Sequence, residues 1–205
     1  MATSATRWLL KSDDAAMRIY TAMANAQTYP SRPIKAVVPF AAGSGTDAVA
    51  RIVGRKLSER LKQPVLIDNK AGANAQIAAQ LVARAKPDGY TLLMTTNTSH
   101  SANPSLFRNL SYDPIKDFTP IARVGELPFA LVVNKNDPAT SLKDWVDRVK
   151  RNPGKFSYAT PNSTSLVASE TIKLIAGLDV VEIPYKSSPQ ALTDLIGGSV
   201  QMYVV

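Results

Sequence analysis

The 205-residue chain contains no cysteine and a single histidine, His100. The lack of cysteine excludes disulfides and thiolate metal sites, and one histidine leaves little from which to build a zinc site or a Ser-His-Asp triad. A G-x-S-x-G elbow is absent, and no lysine follows the glycines as it does in a P-loop. We therefore expect no catalytic residue, no metal and no cofactor, and we interpret His100 as a polar loop residue.

Long apolar runs and concentrated charge are also missing. No run of about eighteen apolar residues occurs, so the sequence offers no candidate for a membrane-spanning helix. The net charge is +8, but the lysines and arginines are scattered and no aromatic-plus-basic signature accompanies them, so nucleic acid is not an expected partner. With 45% hydrophobic and 20% charged residues, the composition is that of a globular protein.

The first 28 residues have some features of an export signal and lack others. The sequence Ala-Asn-Ala-Gln at 24–27 resembles the end of a secretory signal, but four charged side chains between residues 11 and 18 interrupt the apolar core that such a signal needs. We interpret residues 1–28 as a leader or a degenerate signal segment.

The most informative stretch runs from Ile34 to Leu61 and predicts a strand, a glycine loop and a helix. A β-branched segment ends at Pro39, and the apolar residues that follow the loop recur at helical spacing. We expect Gly43 and Gly45 to adopt positive φ, and Thr46 to cap the helix. Such a helix start presents free N–H groups to a carboxylate or phosphate.

Strands and helices continue to alternate after this unit, which predicts an α/β fold with mainly parallel sheets. We expect a first lobe over 29–126 and a second, incomplete lobe over 127–205, with further strands near 121–125 and 129–134. The polar loops at 96–103 and 160–165 follow predicted strands, where open parallel sheets place their ligands.

A dinucleotide site is an alternative interpretation of the glycine loop. Gly43-x-Gly45-x-x-Ala48 fits the loose G-x-G-x-x-G/A pattern, and Asp68 ends the next strand. Against this hypothesis, Pro39 breaks the strand and three residues separate it from the first glycine, whereas a Rossmann turn places that glycine close behind the strand. A nucleotide-dependent α/β enzyme therefore stays open as an alternative.

The sequence also resembles a known family over 29–205. The stretches IKAVVPFAAGSGTDAVARIVGRKL, NPSLFRNLSYDPIKDFTPIA, SYATPNSTSLVASE and VEIPYKSSPQALTDLIGGSVQ are similar to the periplasmic receptors of tripartite tricarboxylate transporters, the Bug receptors. The resemblance implies a two-lobed periplasmic-binding-protein-like fold of type II. It also implies a non-enzymatic, monomeric receptor that captures a small carboxylate in the periplasm and delivers it to a membrane permease.

 The implied partners are thus a small carboxylate and the permease subunits.

Mapped residue by residue, the resemblance places the ligand at four loops. Glycine and threonine N–H groups would act in the first lobe, and serine and threonine N–H and hydroxyl groups in the second. The implied ligand-binding residues are Phe40, Ala41, Gly43, Ser44, Gly45, Thr46, Asp47, Thr96, Asn97, Ser99, Asn162, Ser163, Thr164, Ser165, Tyr185 and Ser187.

The chain departs from the family pattern in two respects. Its first loop is less glycine-rich, with Ala41, Ala42 and Ser44, and its second-lobe loop lacks the common glycine-rich, histidine-containing form, so ligand preference is not carried over. Family chains also run roughly a hundred residues further, and we expect this chain to be truncated at its C-terminus. A non-functional fragment of a receptor gene is therefore a further alternative.

Overall fold

The structure is a computed structural model and describes residues 29–205. The predicted leader, 1–28, lies outside the described residues. Strands and helices alternate along the chain, as the sequence predicted, and form two sheets. In chain order the elements are β1 (Ile34–Val38), α1 (Gly45–Leu61), β2 (Val65–Asn69), a 3-10 turn (Ala73–Ala75), α2 (Gln76–Ala83), β3 (Thr91–Leu93), a π-helical turn (Thr98–Ala102), α3 (Asn103–Leu106), β4 (Leu131–Val133), α4 (Leu142–Lys150), β5 (Phe156–Thr160), α5 (Ser163–Ala176), β6 (Val180–Pro184), α6 (Ser188–Gly197) and β7 (Met202–Val204).

The first sheet is parallel, with the strand order β2-β1-β3. Its central strand, β1, is almost entirely buried, as expected for a strand that is covered on both faces. Because all three strands run in the same direction, their carboxyl ends lie at one edge of the sheet. The loop after β1 and the segment after β3 therefore start at the same edge, which is where parallel sheets place ligands.

The second sheet has the strand order β4-β7-β5-β6 and is mixed. Strand β5 pairs in parallel with β6 and β7, whereas β4 pairs antiparallel with β7. The last strand of the chain is thus an interior strand of this sheet. The carboxyl ends of β5, β6 and β7 lie at one edge, and α5 and α6 begin just after the first two of these strands.

Alternating side chains of the second sheet build two separate cores. Tyr158 of β5 and Met202 of β7 pack with Trp145 and Val149 of α4 on one face. The next residue of each strand, Ala159 and Tyr203, belongs to the other face, where α6 packs. This period of two fixes which strand residues face α6.

Two sequence predictions about local structure are wrong. Residues 121–125 form no strand, and Ile121 is 79% exposed, because this segment has no neighbouring strand with which to pair. The segment 96–103 is partly helical rather than a loop. In α5 the apolar side chains of Leu174 and Ile175 are 83% and 81% exposed.

Two further points concern the whole described range. Within residues 29–205, no helix combines the length and the apolar character needed to cross a membrane. The strands of the first sheet lie between residues 34 and 93, and those of the second between residues 131 and 204. The lobe boundary at 126/127 stays a prediction.

Candidate ligand-binding cleft

A cavity of about 1700 Å³ opens between the loops of the two sheets. Both halves of the chain line it, including the loop after β1, the segment after β3, and the starts of α5 and α6. Nine of the sixteen ligand-binding residues implied by the resemblance lie in its wall. They are Phe40, Gly43, Ser44, Gly45, Thr46, Thr96, Asn97, Asn162 and Thr164. The structure therefore brings predicted ligand-binding residues from three of the four loops to one place.

The glycine loop after β1 is closed by a serine cap. Ser44 has extended backbone angles and its Oγ accepts a hydrogen bond from the Asp47 N–H at 3.3 Å, so Ser44 caps α1. The prediction that Thr46 caps the helix is wrong, because the helix already begins at Gly45. Gly43 has a φ of +83°, as predicted. The same prediction for Gly45 is wrong, since this residue lies in the first turn of the helix.

The buried Asp47 carboxylate stabilises this loop. Its side chain is 4% exposed and does not line the cavity. The carboxylate accepts hydrogen bonds from the Gly43 N–H, from Arg51 Nε and from Asn69 Nδ2, each at 2.9 Å. The Arg51 hydrogen bond, with those from Gly43 and Asn69, lowers the pKa of Asp47 to about 2 although burial opposes this shift. Asp47 is therefore ionised at neutral pH and held within the loop.

Ala41 also acts inside the loop. Its carbonyl accepts a hydrogen bond from the Ser44 N–H at 3.1 Å, and the residue does not line the cavity. Asn69 donates to the Phe40 carbonyl at 2.9 Å through the same amide nitrogen that reaches Asp47. Residues 40–47 are thus fixed by β2 as well as by their own hydrogen bonds.

The segment after β3 contributes a polar wall. Thr96, Asn97, Thr98 and His100 line the cavity. Ser99 is fully buried, and its hydroxyl lies 2.8 Å from both Thr95 Oγ1 and His100 Nδ1. Ser99 therefore orients its neighbours rather than facing the cavity.

His100 lines the cavity although it was not predicted to belong to the site. Its ring packs edge-on against Phe118, with centroids 4.7 Å apart, and burial lowers the pKa of His100. The imidazole is therefore neutral at neutral pH. A single isolated histidine carries no sequence signal that would place it in a cleft.

The start of α5 is capped by Asn162, whose Oδ1 accepts from the Ser165 N–H at 3.0 Å. Ser163 and Ser165 are fully buried and do not line the cavity. Ser165 Oγ donates to the Val204 carbonyl at 2.8 Å, and Ser163 Oγ donates to Asn103 Oδ1 at 3.2 Å. These two serines hold α5 in place, and Thr164 between them reaches the cavity.

Thr164 also joins the two sides of the cleft. Its Oγ1 donates to Asn97 Oδ1 at 3.0 Å and lies 3.4 Å from Thr98 Oγ1. The loop before α1 approaches α6 as well, since a Cβ added to Gly43 would lie 3.8 Å from Pro189 Cγ. The first-sheet loops and the helix starts of the second sheet are therefore in direct contact.

The Tyr185 to Ser188 turn meets the cavity only at its end. Tyr185 Oη donates to Asp194 Oδ2 at 2.9 Å, and Ser187 caps α6 through the Gln190 N–H at 3.4 Å. Neither residue lines the cavity, whereas Ser188 and Pro189 do. Much of the remaining wall is formed by the segment 114–129, which was not predicted to take part in binding.

Three helix starts, those of α1, α5 and α6, thus meet at one cavity. The first N–H groups of a helix have no partner within that helix, so Gly45, Thr46, Thr164 and Ser188 present main-chain donors on cavity-lining residues. The helix dipoles add a positive potential at the same place. Over the described part of the chain, no group of three or more His, Cys, Asp or Glu side chains could hold a metal ion. The arrangement suits an organic anion.

The chain is similar to proteins of a known family. The tripartite tricarboxylate transporter family receptor domain matches residues 49–205. A UPF0065 protein of Bordetella bronchiseptica is 43% identical over 88% of this chain and 54% of its own length. Protein BugT of Bordetella pertussis is 37% identical over 86% of this chain and 55% of its own length. The chain spans about half the length of these curated relatives.

Solved structures agree with the family assignment. A Rhodopseudomonas palustris protein with adipate has a TM-score of 0.84 and 35% identity, covering 86% of this chain and 60% of its own. MatC from the same species, with bound malate, has a TM-score of 0.79 and 34% identity over 86% of this chain and 60% of its own. The periplasmic binding protein BugD has a TM-score of 0.77 and 34% identity over 86% of this chain and 59% of its own.

These similarities decide between the interpretations of the glycine loop. The family and the structural neighbours are periplasmic solute-binding receptors, so the alternative of a nucleotide-dependent enzyme is not supported. Asp68, the acidic residue of that alternative, instead pairs with Lys70 at 3.1 Å. The chain belongs to the tripartite tricarboxylate transporter receptor family and has the α/β fold of a periplasmic solute-binding protein.

Proposed function

We propose that this chain binds a small carboxylate, such as a di- or tricarboxylate or a related organic acid, in the cleft between its two sheets. The observation that carries the proposal is the meeting of three helix starts at one cavity. Two similar structures hold adipate and malate, both dicarboxylates. The proposed site comprises the cavity-lining residues of the loops before α1, α5 and α6 and of the segment after β3.

Main-chain donors suit this task because they bind a carboxylate without bringing a full positive charge into the cleft. Each N–H group of Gly45, Thr46 and Thr164 is fixed by its helix, so little ordering is needed on binding. The buried Asp47 carboxylate is matched by Arg51, which limits its repulsion of an anionic ligand. Hydroxyl groups on Thr96, Thr98 and Thr164 add neutral donors.

The proposal includes the setting in which the receptor works. We place the protein in the periplasm, as a monomer that delivers its ligand to the membrane permease of a tripartite tricarboxylate transporter. Family membership and the periplasmic neighbours support this placement.

A thermal melt of the full 205-residue chain tests the proposal. The melting temperature is measured alone and with malate, adipate, citrate, an aromatic carboxylate, an amino acid and NAD. A ligand present at a hundredfold over its Kd stabilises the folded state by about 2.7 kcal/mol, which gives a clear shift. We expect at least one carboxylate to raise the melting temperature and NAD to have no effect.

Isothermal titration then gives the Kd of each carboxylate that shifts the melt. A neutral amide analogue of the same ligand serves as the control, since it keeps the shape but lacks the charge. Equal binding of the amide and the acid would contradict an anion site. A cooperative melt that no carboxylate shifts would overturn the proposed function.

A further inference from the structure

Tyr203 is a cavity residue that neither the family resemblance nor the loop pattern singled out. It lies on β7, an interior strand of the second sheet, and its ring packs with Ala159, Ala191 and Leu195. Only 1% of the residue is exposed, yet it lines the cleft together with Ser188. The side chain is therefore held rigidly at the wall of the cavity.

The surroundings of the Tyr203 hydroxyl are polar. Burial raises the pKa of Tyr203, and the neighbouring Ser188 and Ser165 side chains oppose part of this shift. These serines belong to the first turns of α6 and α5. The phenol therefore lies where the two helix starts of the second sheet converge, and it is protonated at neutral pH.

The opposite wall is close to this point. A Cβ added to Gly43 would lie 3.8 Å from Pro189 Cγ, and Pro189 directly follows Ser188. The start of α1 on one side, and Tyr203 and Ser188 on the other, line the same cavity. A ligand bound by the Gly45 and Thr46 N–H groups would therefore share this cavity with Tyr203.

We infer that the Tyr203 hydroxyl is a ligand-binding donor, which contacts a carboxylate oxygen from the second-sheet side of the cleft. This inference rests on the proposed function, because it assumes that the cleft binds a carboxylate. A phenol is a neutral donor that loses little conformational freedom when its ring is already packed. It complements the main-chain donors of the helix starts without adding charge.

The substitution Tyr203→Phe tests the inference, because it removes the hydroxyl and keeps the packed ring. The matched control is Tyr158→Phe, which removes a hydroxyl that donates to Glu170 from a ring buried on the other face of the same sheet. Both variants and the wild type are titrated with malate and adipate as full-length chains. We expect Tyr203→Phe to raise the Kd about tenfold and Tyr158→Phe to leave it within about twofold.

The outcomes separate this inference from the proposed function. If the wild type binds and Tyr203→Phe binds equally well, or if Tyr158→Phe weakens binding as much, the role of Tyr203 is overturned while the receptor function stands. If the wild type binds neither ligand nor any other carboxylate, both are overturned. Should Tyr203→Phe lower the melting temperature, each protein's ligand-induced shift is compared with its own ligand-free value.

Discussion

The Gly43 N–H donates to Asp47 Oδ2 at 2.9 Å, so a carboxylate in the first turn of α1 also closes the loop that precedes this helix. Asn69, on the neighbouring strand, donates to the other oxygen of the same carboxylate at 2.9 Å. The resemblance implied that Asp47 binds the ligand. The geometry indicates instead that it positions the main-chain donors of the loop.

Replacing Asp47 with asparagine should lower stability and weaken ligand binding together. The amide cannot accept from Gly43, Arg51 and Asn69 as the carboxylate does, and hydrogen bonds to a charged group contribute about 2 kcal/mol. We expect a loss of that size in the free energy of unfolding, measured with urea. Asp68→Asn is the control, since Asp68 pairs only with lysines near the surface. An equal loss in both variants would contradict this role of Asp47.

The same carboxylate predicts a dependence of stability on pH. Its pKa falls from 3.8 to about 2 in the folded protein. Because the folded state then binds this proton less tightly than the unfolded chain, the contribution of Asp47 is complete above about pH 4 and is lost as the pH falls toward 2. Urea unfolding at pH 6, 4 and 3 should show the wild type and Asp47→Asn converging as the pH falls. A constant difference would argue against the assignment.

Gly43 and Gly45 should respond differently to alanine. Gly43 has a φ of +83°, a conformation that costs a non-glycine residue about 1 kcal/mol, so Gly43→Ala should destabilise the protein and weaken binding. At Gly45 the added Cβ would meet Leu127 Cδ1 at an ordinary 3.7 Å, and alanine favours the helix. We therefore expect Gly45→Ala to keep its melting temperature and to bind normally. A larger loss for Gly45→Ala than for Gly43→Ala would contradict the positive φ of Gly43 and the helical position of Gly45.

Removing the Thr164 hydroxyl should weaken binding without unfolding the protein. Thr164→Val keeps the shape but loses the hydrogen bond to Asn97, which joins the two sides of the cleft. The binding-competent arrangement then becomes less populated, and we expect the Kd to rise about fivefold. Thr171→Val is the control, because Thr171 Oγ1 donates only to Val167 within α5. Titration with the same carboxylate should leave this control unchanged.

A substitution at the N-cap of α4 should change the stability of the protein but not its ligand binding. Ser141 Oγ accepts from the Asp144 N–H at 3.1 Å, and Ser141→Ala should cost about 1 kcal/mol in unfolding free energy. The Kd should not change, because no residue of α4 lines the cavity. Leu142→Ala, at a position that is 61% exposed in the same helix, should have little effect on either quantity. A change in Kd for Ser141→Ala would link α4 to the site.

Local sequence patterns accounted for much of this fold. The β-branched run of β1, the Ser141 cap with Asp144 and the positive φ of Gly43 depend on neighbours within a few residues, so they were predictable. The same reasoning failed for the cap of α1, because Ser44 and Thr46 are both suitable capping residues and only the loop geometry selects Ser44. Helical spacing also carries no information about what α5 packs against, since Leu174 and Ile175 of that helix are exposed.

The sequence by itself determined the α/β class, the absence of thiol chemistry and the loops at which helices begin. Only the tertiary structure decided that Asp47 supports its loop through Asn69, that Thr164 meets Asn97 and that Tyr203 reaches the cleft. The physical reason is that each of these contacts joins residues far apart in the chain. Periodicity and capping describe interactions within one turn or one strand, whereas a binding cleft is made where separate elements meet.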